Sequence, residues 1–146
     1  MTYGKKHSGI AKYGKVAAES EVAYASPHRL VQMLMEGALE KAATAKGCIE
    51  RKDLEGKSRH LSWAMSIISG LRSSLDLDTG GAIAANLDDL YEYMNRRLID
   101  ASTQNQVEPV SEVIDLLLEI KSAWDAMPDD IKHAGSAAHA IDARHV

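Results

Sequence analysis

The stretch IAANLDDLYEYMNRRLIDA, residues 83–101, decides how this chain folds. Its apolar positions are Ile83, Leu87, Leu90, Met94, Leu98 and Ala101, separated by steps of three and four. An α-helix repeats about every 3.6 residues, so these side chains form one seam. Asp88, Asp89, Glu92, Arg96 and Asp100 fall off that seam. A strand would instead alternate every second residue. The heptad-like spacing suits a helix that packs on its neighbours at a shallow crossing angle. Gly80-Gly81 stands just before it and offers a turn that tolerates left-handed backbone angles. The predicted helix therefore starts at the glycine pair and runs to about Thr103.

The same periodicity appears on both sides. Upstream, Ser26-Pro27 is a helix start, with a capping hydroxyl followed by a residue whose fixed φ suits the first turn. Leu30, Leu34, Ala38, Ala45 and Ile49 then predict a helix over 27–51, ending before Lys52-Asp53 and Gly56. Leu61, Met65, Ile68, Leu71 and Leu75 predict a second over 57–76. Downstream, Val113, Leu117, Ile120 and Trp124 predict a last helix over 109–126, with Pro109 at its start and Pro128 after its end. Short connections between helices of this length imply antiparallel neighbours. The expected fold is all-α, an antiparallel up-down four-helix bundle with room for a short N-terminal helix around 13–21. Residues 1–25 read as a mobile N-terminal segment, 26–127 as the bundle, and 128–146 as a flexible C-terminal tail.

Composition agrees and narrows the function. Phe is absent and aromatics are 5% of the chain, so the core must be aliphatic, which favours helices over strands. Net charge is -4, and Lys and Arg are scattered. That argues against a nucleic-acid footprint and against a polybasic membrane anchor. The single cysteine, Cys48, excludes an internal disulfide and reads as a small packing residue in a reducing compartment. No signal core and no membrane-length apolar run is present, so a cytoplasmic location is expected.

Motifs for chemistry are missing. There is no Glu-x-x-His, Cys-x-x-Cys, Gly-x-x-x-x-Gly-Lys, Gly-x-Ser-x-Gly or His-Glu-x-x-His. His133, His139 and His145 are six residues apart, which does not place ligands on one helix face. Asp88 and Asp89 diverge by about 100° and form no working pair. They read as a solvated face, as does Arg96-Arg97. His60 on the second helix admits a phosphotransfer or signalling bundle as an alternative, although a solvated histidine is the simpler account. No catalytic residue, metal site or cofactor is expected.

What the sequence has in surplus is apolar surface. A bundle helix needs a stripe of about 100°. Val113, Ile114, Leu116, Leu117, Leu118 and Ile120 span about 200°, and Leu30, Val31, Met33, Leu34, Met35 and Leu39 about 240°. Either a helix is buried on several sides, or two copies associate, or a groove takes a partner helix.

Three segments resemble the flagellin export chaperone family, of the FliS type. The first is Tyr24-Ala-Ser-Pro-His-Arg-Leu30 continuing through Met33-Leu-Met-Glu-Gly-Ala-Leu39. The second is Ile67-Ile68 through Leu71-Arg-Ser-Ser-Leu-Asp76. The third is Gly80-Gly-Ala-Ile-Ala-Ala-Asn-Leu87 with Leu90-Tyr-Glu-Tyr-Met94 and Arg97-Leu98. Residues 113–124 are similar to the family's last bundle helix. Met35-Glu36 stands where the family has Tyr-Asp, and Gln106 where an Asp often follows Asn. The resemblance implies a cytoplasmic chaperone that binds the disordered C-terminal region of flagellin, prevents premature polymerisation and assists delivery to the flagellar type III secretion system. Export-apparatus components and other flagellar regulators are further partners it admits. It also implies that the N-terminal segment can cover the groove, with Tyr13 and Val16 as candidate plugs. The candidate flagellin-contact residues are Ile83, Asn86, Leu87, Leu90, Tyr91, Met94, Ile114 and Leu118. Asn86 has hydrogen-bonding valences for either a partner backbone or a neighbouring helix.

Overall fold

The computed structural model describes residues 25–128. The expectations placed on residues 1–24 and 129–146, including the short helix over 13–21, lie outside the described residues. Four helices follow one another: α1 Pro27–Glu50, α2 Leu54–Ser73, α3 Leu77–Gln104 and α4 Glu108–Asp125. Among the described residues there is no strand. Each helix packs on its predecessor, and α4 closes the ring on α1. The expected all-α bundle is therefore the fold.

Capping chemistry sets the helix ends. The Ser26 hydroxyl accepts from the Arg29 N–H at 3.1 Å, and Pro27 takes the first helical position. At the other end of α1, Lys52 turns left-handed with φ 61°. Its N–H donates to the Ile49 carbonyl, and that of Asp53 to the Cys48 carbonyl, at 3.1 and 2.8 Å. This is the Schellman arrangement, which satisfies carbonyls that a helix C-terminus otherwise leaves open.

Two boundaries differ from the sequence expectation. Helix α2 starts at Leu54, not near Lys57, because the Asp53 carboxylate caps it by accepting from the Gly56 N–H at 3.0 Å. It ends at Ser73, before Leu75-Asp76. Asp76 instead caps the next helix, accepting from the Thr79 N–H at 2.9 Å. Helix α3 therefore gains a turn ahead of the glycine pair. Gly81, at φ 55° and ψ -134°, breaks that turn from the long helix behind it. A side chain would be strained in this region of backbone space.

The core is aliphatic, as composition required. Val31, Met35, Leu61, Ile68, Leu71, Met94, Leu98, Val110, Val113 and Leu117 are fully enclosed. Ala38, Ala42 and Ala45 of α1 meet Ala64 of α2 in the same cluster, so little side-chain bulk separates the helices there.

Two polar devices hold the ends. His28 and Trp124 join the start of α1 to the end of α4. The His28 ring donates from Nε2 to the Trp124 carbonyl at 2.8 Å, and Trp124 Nε1 donates to the His28 carbonyl at 3.0 Å. The rings stack at 4.9 Å. Lys57, only 7% exposed, reaches from the start of α2 to the end of α3. Its ammonium donates to the Ser102 carbonyl at 2.9 Å and to Asn105 Oδ1 at 2.6 Å. A cation there complements the partial negative charge of the α3 C-terminus.

Candidate partner-binding site

The seam that opened the sequence reading keeps one phase along α3 but not one environment. Met94, Leu98 and Ala101 are fully buried, Leu87 and Leu90 are half-buried, and Ile83 is 67% exposed. Ala84, the next residue after Ile83, is fully buried, so Ile83 stands at the outer edge of a face that still meets the bundle. Toward the same end of the bundle, Trp124 of α4 is engaged by His28 of α1.

The position of this open tract follows from the bonds beside it. Tyr93 Oη and Arg97 Nε of α3 both donate to Glu112 Oε1 of α4, at 2.7 and 2.9 Å. Arg97 also holds Asp100 at 2.9 Å. The Tyr93 hydroxyl first, and then Arg97, keep the Glu112 carboxyl below its ordinary range, and the shared bond raises the Tyr93 phenol. The two helices are antiparallel. Going toward the α3 N-terminus reaches Leu90 and Asn86, and going along α4 reaches Leu116 and Ile120. These lie on the same flanks as the bonded residues. Leu87, Leu90, Leu116 and Ile120 are all partly buried against the core. Together with Ile83 they form an apolar tract between α3 and α4, closed at one end by the Tyr93–Glu112–Arg97 bridge.

A second tract lies on the other flank of α4. Gln32 of α1 donates to Asp125 of α4 at 2.7 Å. Seven residues along each helix from that bond stand Leu39 and Leu118, which therefore remain facing. Leu118 is 50% exposed, and Ile114 and Leu39 are partly buried.

The eight candidate residues thus separate into three groups. Ile83, Asn86, Leu87 and Leu90 belong to the α3–α4 tract. Ile114 and Leu118 belong to the α1–α4 tract, about 160–200° around α4 from Leu116. Tyr91 and Met94 are corrected to core positions, because both are 0% exposed. Burial also pushes the Tyr91 phenol well above its ordinary value. Asn86 is exposed and so is not enclosed between two helices. The plug candidates Tyr13 and Val16 lie outside the described residues.

Other sequence readings change as well. Asp88 is not simply solvated, since it accepts from Arg72 Nε at 2.7 Å and links α3 to α2. Arg97 joins α3 to α4 rather than standing free. His60 is half-buried, and its Nδ1 sits 2.9 Å from the Gly56 carbonyl of its own helix, so one ring nitrogen is already engaged. Among the described residues no group of three or more His, Cys, Asp and Glu is placed to hold a metal ion. No helix there is long and apolar enough to cross a membrane.

Leu116 and Ile120 are the tract residues that the sequence reading did not single out. Their signal was the wide apolar arc of α4, which did not say which edge lay open. Trp63 of α2 is a further apolar side chain at the surface. It is 50% exposed, with the Lys41 ammonium 3.8 Å above its ring.

Comparison with known proteins gives these surfaces a context. The family described as flagellar protein FliS matches residues 9–130. The flagellar secretion chaperone FliSB of Pseudomonas aeruginosa is 47% identical over 118 residues, covering 81% of this chain and 94% of its own length. The flagellar secretion chaperone FliS of Vibrio cholerae is 39% identical over 128 residues, covering 88% and 94%. That of Salmonella typhimurium is 44% identical over 118 residues, covering 80% and 87%.

Proposed function

Because the chain belongs to the FliS family of flagellar proteins, we propose that it is a cytoplasmic export chaperone whose α3–α4 tract receives the disordered C-terminal region of flagellin. The observation that carries this reading is the apolar edge of α3 made by Ile83, Leu87 and Leu90, of which Ile83 is 67% exposed and Leu87 and Leu90 are half-buried. A core helix has no use for aliphatic side chains beyond its neighbours. A helix-in-groove partner does, and reads them at three- and four-residue intervals. The role is binding and release, with no bond made or broken.

The bound segment folds on the surface. Coupled folding of this kind buries about 1,000–3,000 Å² and costs about 2–5 kcal/mol in ordering. Two separate tracts supply more area than one. The first helix of the partner lies on Ile83, Leu87, Leu90, Leu116 and Ile120, and a second reaches Leu39, Ile114 and Leu118. Covering the partner's C-terminal region prevents premature polymerisation, and the complex is handed to the flagellar type III secretion system. Export components and other flagellar regulators meet the surfaces that remain.

Residues 1–25 act as an N-terminal plug. Tyr13 and Val16 are the candidate plug residues, covering part of the groove when the partner is absent. Competition between plug and partner lowers apparent affinity by the fraction of open molecules and eases release. The test is to mix the purified protein with a synthetic peptide from a flagellin C-terminus. Saturable binding that Ile83→Asp weakens supports the reading, and a folded protein that binds no such peptide sinks it.

A further inference from the structure

The α3–α4 tract is apolar along its floor and acidic along its rim. Leu87, Leu90, Leu116 and Ile120 are partly buried, and Ile83 is 67% exposed. Beside Leu116 an open hollow of about 620 Å³ runs along α4, lined as well by Glu108, Glu112, Asp115 and Glu119. These four acids recur at steps of four, three and four, so they form one edge of the helix. On α3, Asp89 lies one turn from Tyr93 on the same flank, and on α4, Glu119 lies two turns from Glu112 on the same flank. The antiparallel helices are joined where Tyr93 and Arg97 meet Glu112. Asp89 is about 6–12 Å along α3 from those two donors, and Glu119 is about 10 Å along α4 from the acceptor. The two acids therefore stand on opposite walls at nearly one level, and both are exposed.

The cations near this rim are already engaged. Arg97 is bonded to Glu112 and Asp100, and Arg96 pairs with Glu92. Arg72 acts on Asp89 through space but is bonded to Asp88, toward α2. Lys121 stands seven residues from Ile114, on the α1 side of α4, and holds Asp125. Among the described residues no ion pair takes Asp89, Glu108, Asp115 or Glu119. Glu112 is already bonded in the bridge, so four exposed carboxylates remain beside an apolar floor. Among the described residues no group of three or more His, Cys, Asp and Glu is placed to hold a metal ion. The complement to this rim is a set of cationic side chains carried by an apolar partner.

We propose that the α3–α4 tract selects a basic amphipathic helix: a segment of about three turns whose apolar stripe lies on Ile83, Leu87, Leu90, Leu116 and Ile120, and whose flanking Lys or Arg residues meet Asp89 and Glu119. The length follows from the tract. From Ile83 to the Tyr93 bridge α3 rises about 15 Å, which is about ten helical residues. The inference rests on the reading of this tract as the partner site, and names what a segment must carry to be accepted there. A helix with the same stripe but acidic flanks meets carboxylates on both walls and is turned away. Rim pairs of this kind govern the choice of partner and the rate of encounter more than raw affinity, and salt weakens them.

Two synthetic helical peptides test this. They share one leucine stripe and differ only in carrying Lys or Glu at the flanking positions. In calorimetric titration of the full chain at low salt, the Lys peptide is expected to bind about tenfold more tightly, and the gap closes at high salt. Asp89→Asn together with Glu119→Gln removes most of that preference. Glu50→Gln together with Glu55→Gln takes the same number of charges from the opposite end of the bundle, where α1 gives way to α2, and keeps it. Ile83→Asp weakens both peptides; if it weakens neither, they bind elsewhere and the proposal fails. Equal affinity of the two peptides for the native chain overturns the proposal and leaves the tract reading standing. So does a preference that survives in the Asp89 and Glu119 variant, or one lost equally in the Glu50 and Glu55 variant, which reports net charge alone. A folded chain that binds neither peptide removes the tract reading and the proposal together.

Discussion

Ile83→Ala and Met94→Ala each remove an aliphatic side chain from the same seam of α3, and the structure requires opposite outcomes. Ile83 is 67% exposed, so its loss leaves folding almost untouched. Alanine even improves helix propensity by a few tenths of a kcal/mol. If a partner helix covers the tract, the exposed part of Ile83 is what becomes buried on binding. Full burial of such a side chain is worth about 1.5–3 kcal/mol, so two-thirds of it is about 1–2 kcal/mol. That corresponds to a loss of roughly 5- to 30-fold in affinity for the flagellin peptide. Met94 is 0% exposed. Its truncation leaves a cavity and costs about 2–5 kcal/mol of stability. Provided the protein stays folded, its effect on affinity is small. Urea denaturation followed by tryptophan fluorescence gives the first quantity, and calorimetric titration with the peptide gives the second. The reasoning is refuted if Ile83→Ala destabilises as Met94→Ala does, or if it binds the peptide with unchanged affinity.

Three further outcomes follow from the polar and backbone details. Lys57→Met keeps the aliphatic stem but strips the ammonium from the Ser102 carbonyl and Asn105, and is expected to cost about 1.5–3 kcal/mol in chemical denaturation. Gly81→Ala places a side chain at φ 55° and ψ -134°, with a strain of about 1–3 kcal/mol visible in the same assay. Glu112 has a depressed folded-state pKa, so its contribution is fully present above the ordinary glutamate value, about 4.3, and is lost as pH falls through the folded value. Glu112→Gln should therefore flatten the acid side of a stability–pH curve, and an unchanged acid limb would contradict the Tyr93–Glu112–Arg97 link.

The bundle was legible because its signals are local. Apolar steps of three and four, a Ser-Pro start and a glycine pair are each read within a turn or two, and they located all four helices. The misreadings were local as well. Asp53 looked like a connection residue and Asp76 like the end of a helix, and each is an N-cap whose carboxylate starts a helix earlier than the apolar pattern does. An aspartate reads equally as the end of one helix or the cap of the next, and only the backbone direction decides between them.

The site was legible in composition but not in position. The surplus of apolar arc on α4 is real, and it divides between two flanks: Leu116 and Ile120 toward α3, Ile114 and Leu118 toward α1. Periodicity gives a residue's angle around its own helix and nothing about where neighbouring helices stop. Ile83, Leu87, Leu90 and Met94 share one phase, so no pattern of spacing separates the exposed end of that seam from the buried one. Tyr91 shows the same limit from the other side. It stood among the candidate contact residues, yet its ring is enclosed and its phenol is pushed upward by burial. What separates Ile83 from Met94 is how the neighbouring helices pack around α3: Met94 is fully buried, and at the other end Ala84 is buried while Ile83 beside it is 67% exposed. A binding tract made this way is a long-range property of the fold, and only the assembled bundle reveals it.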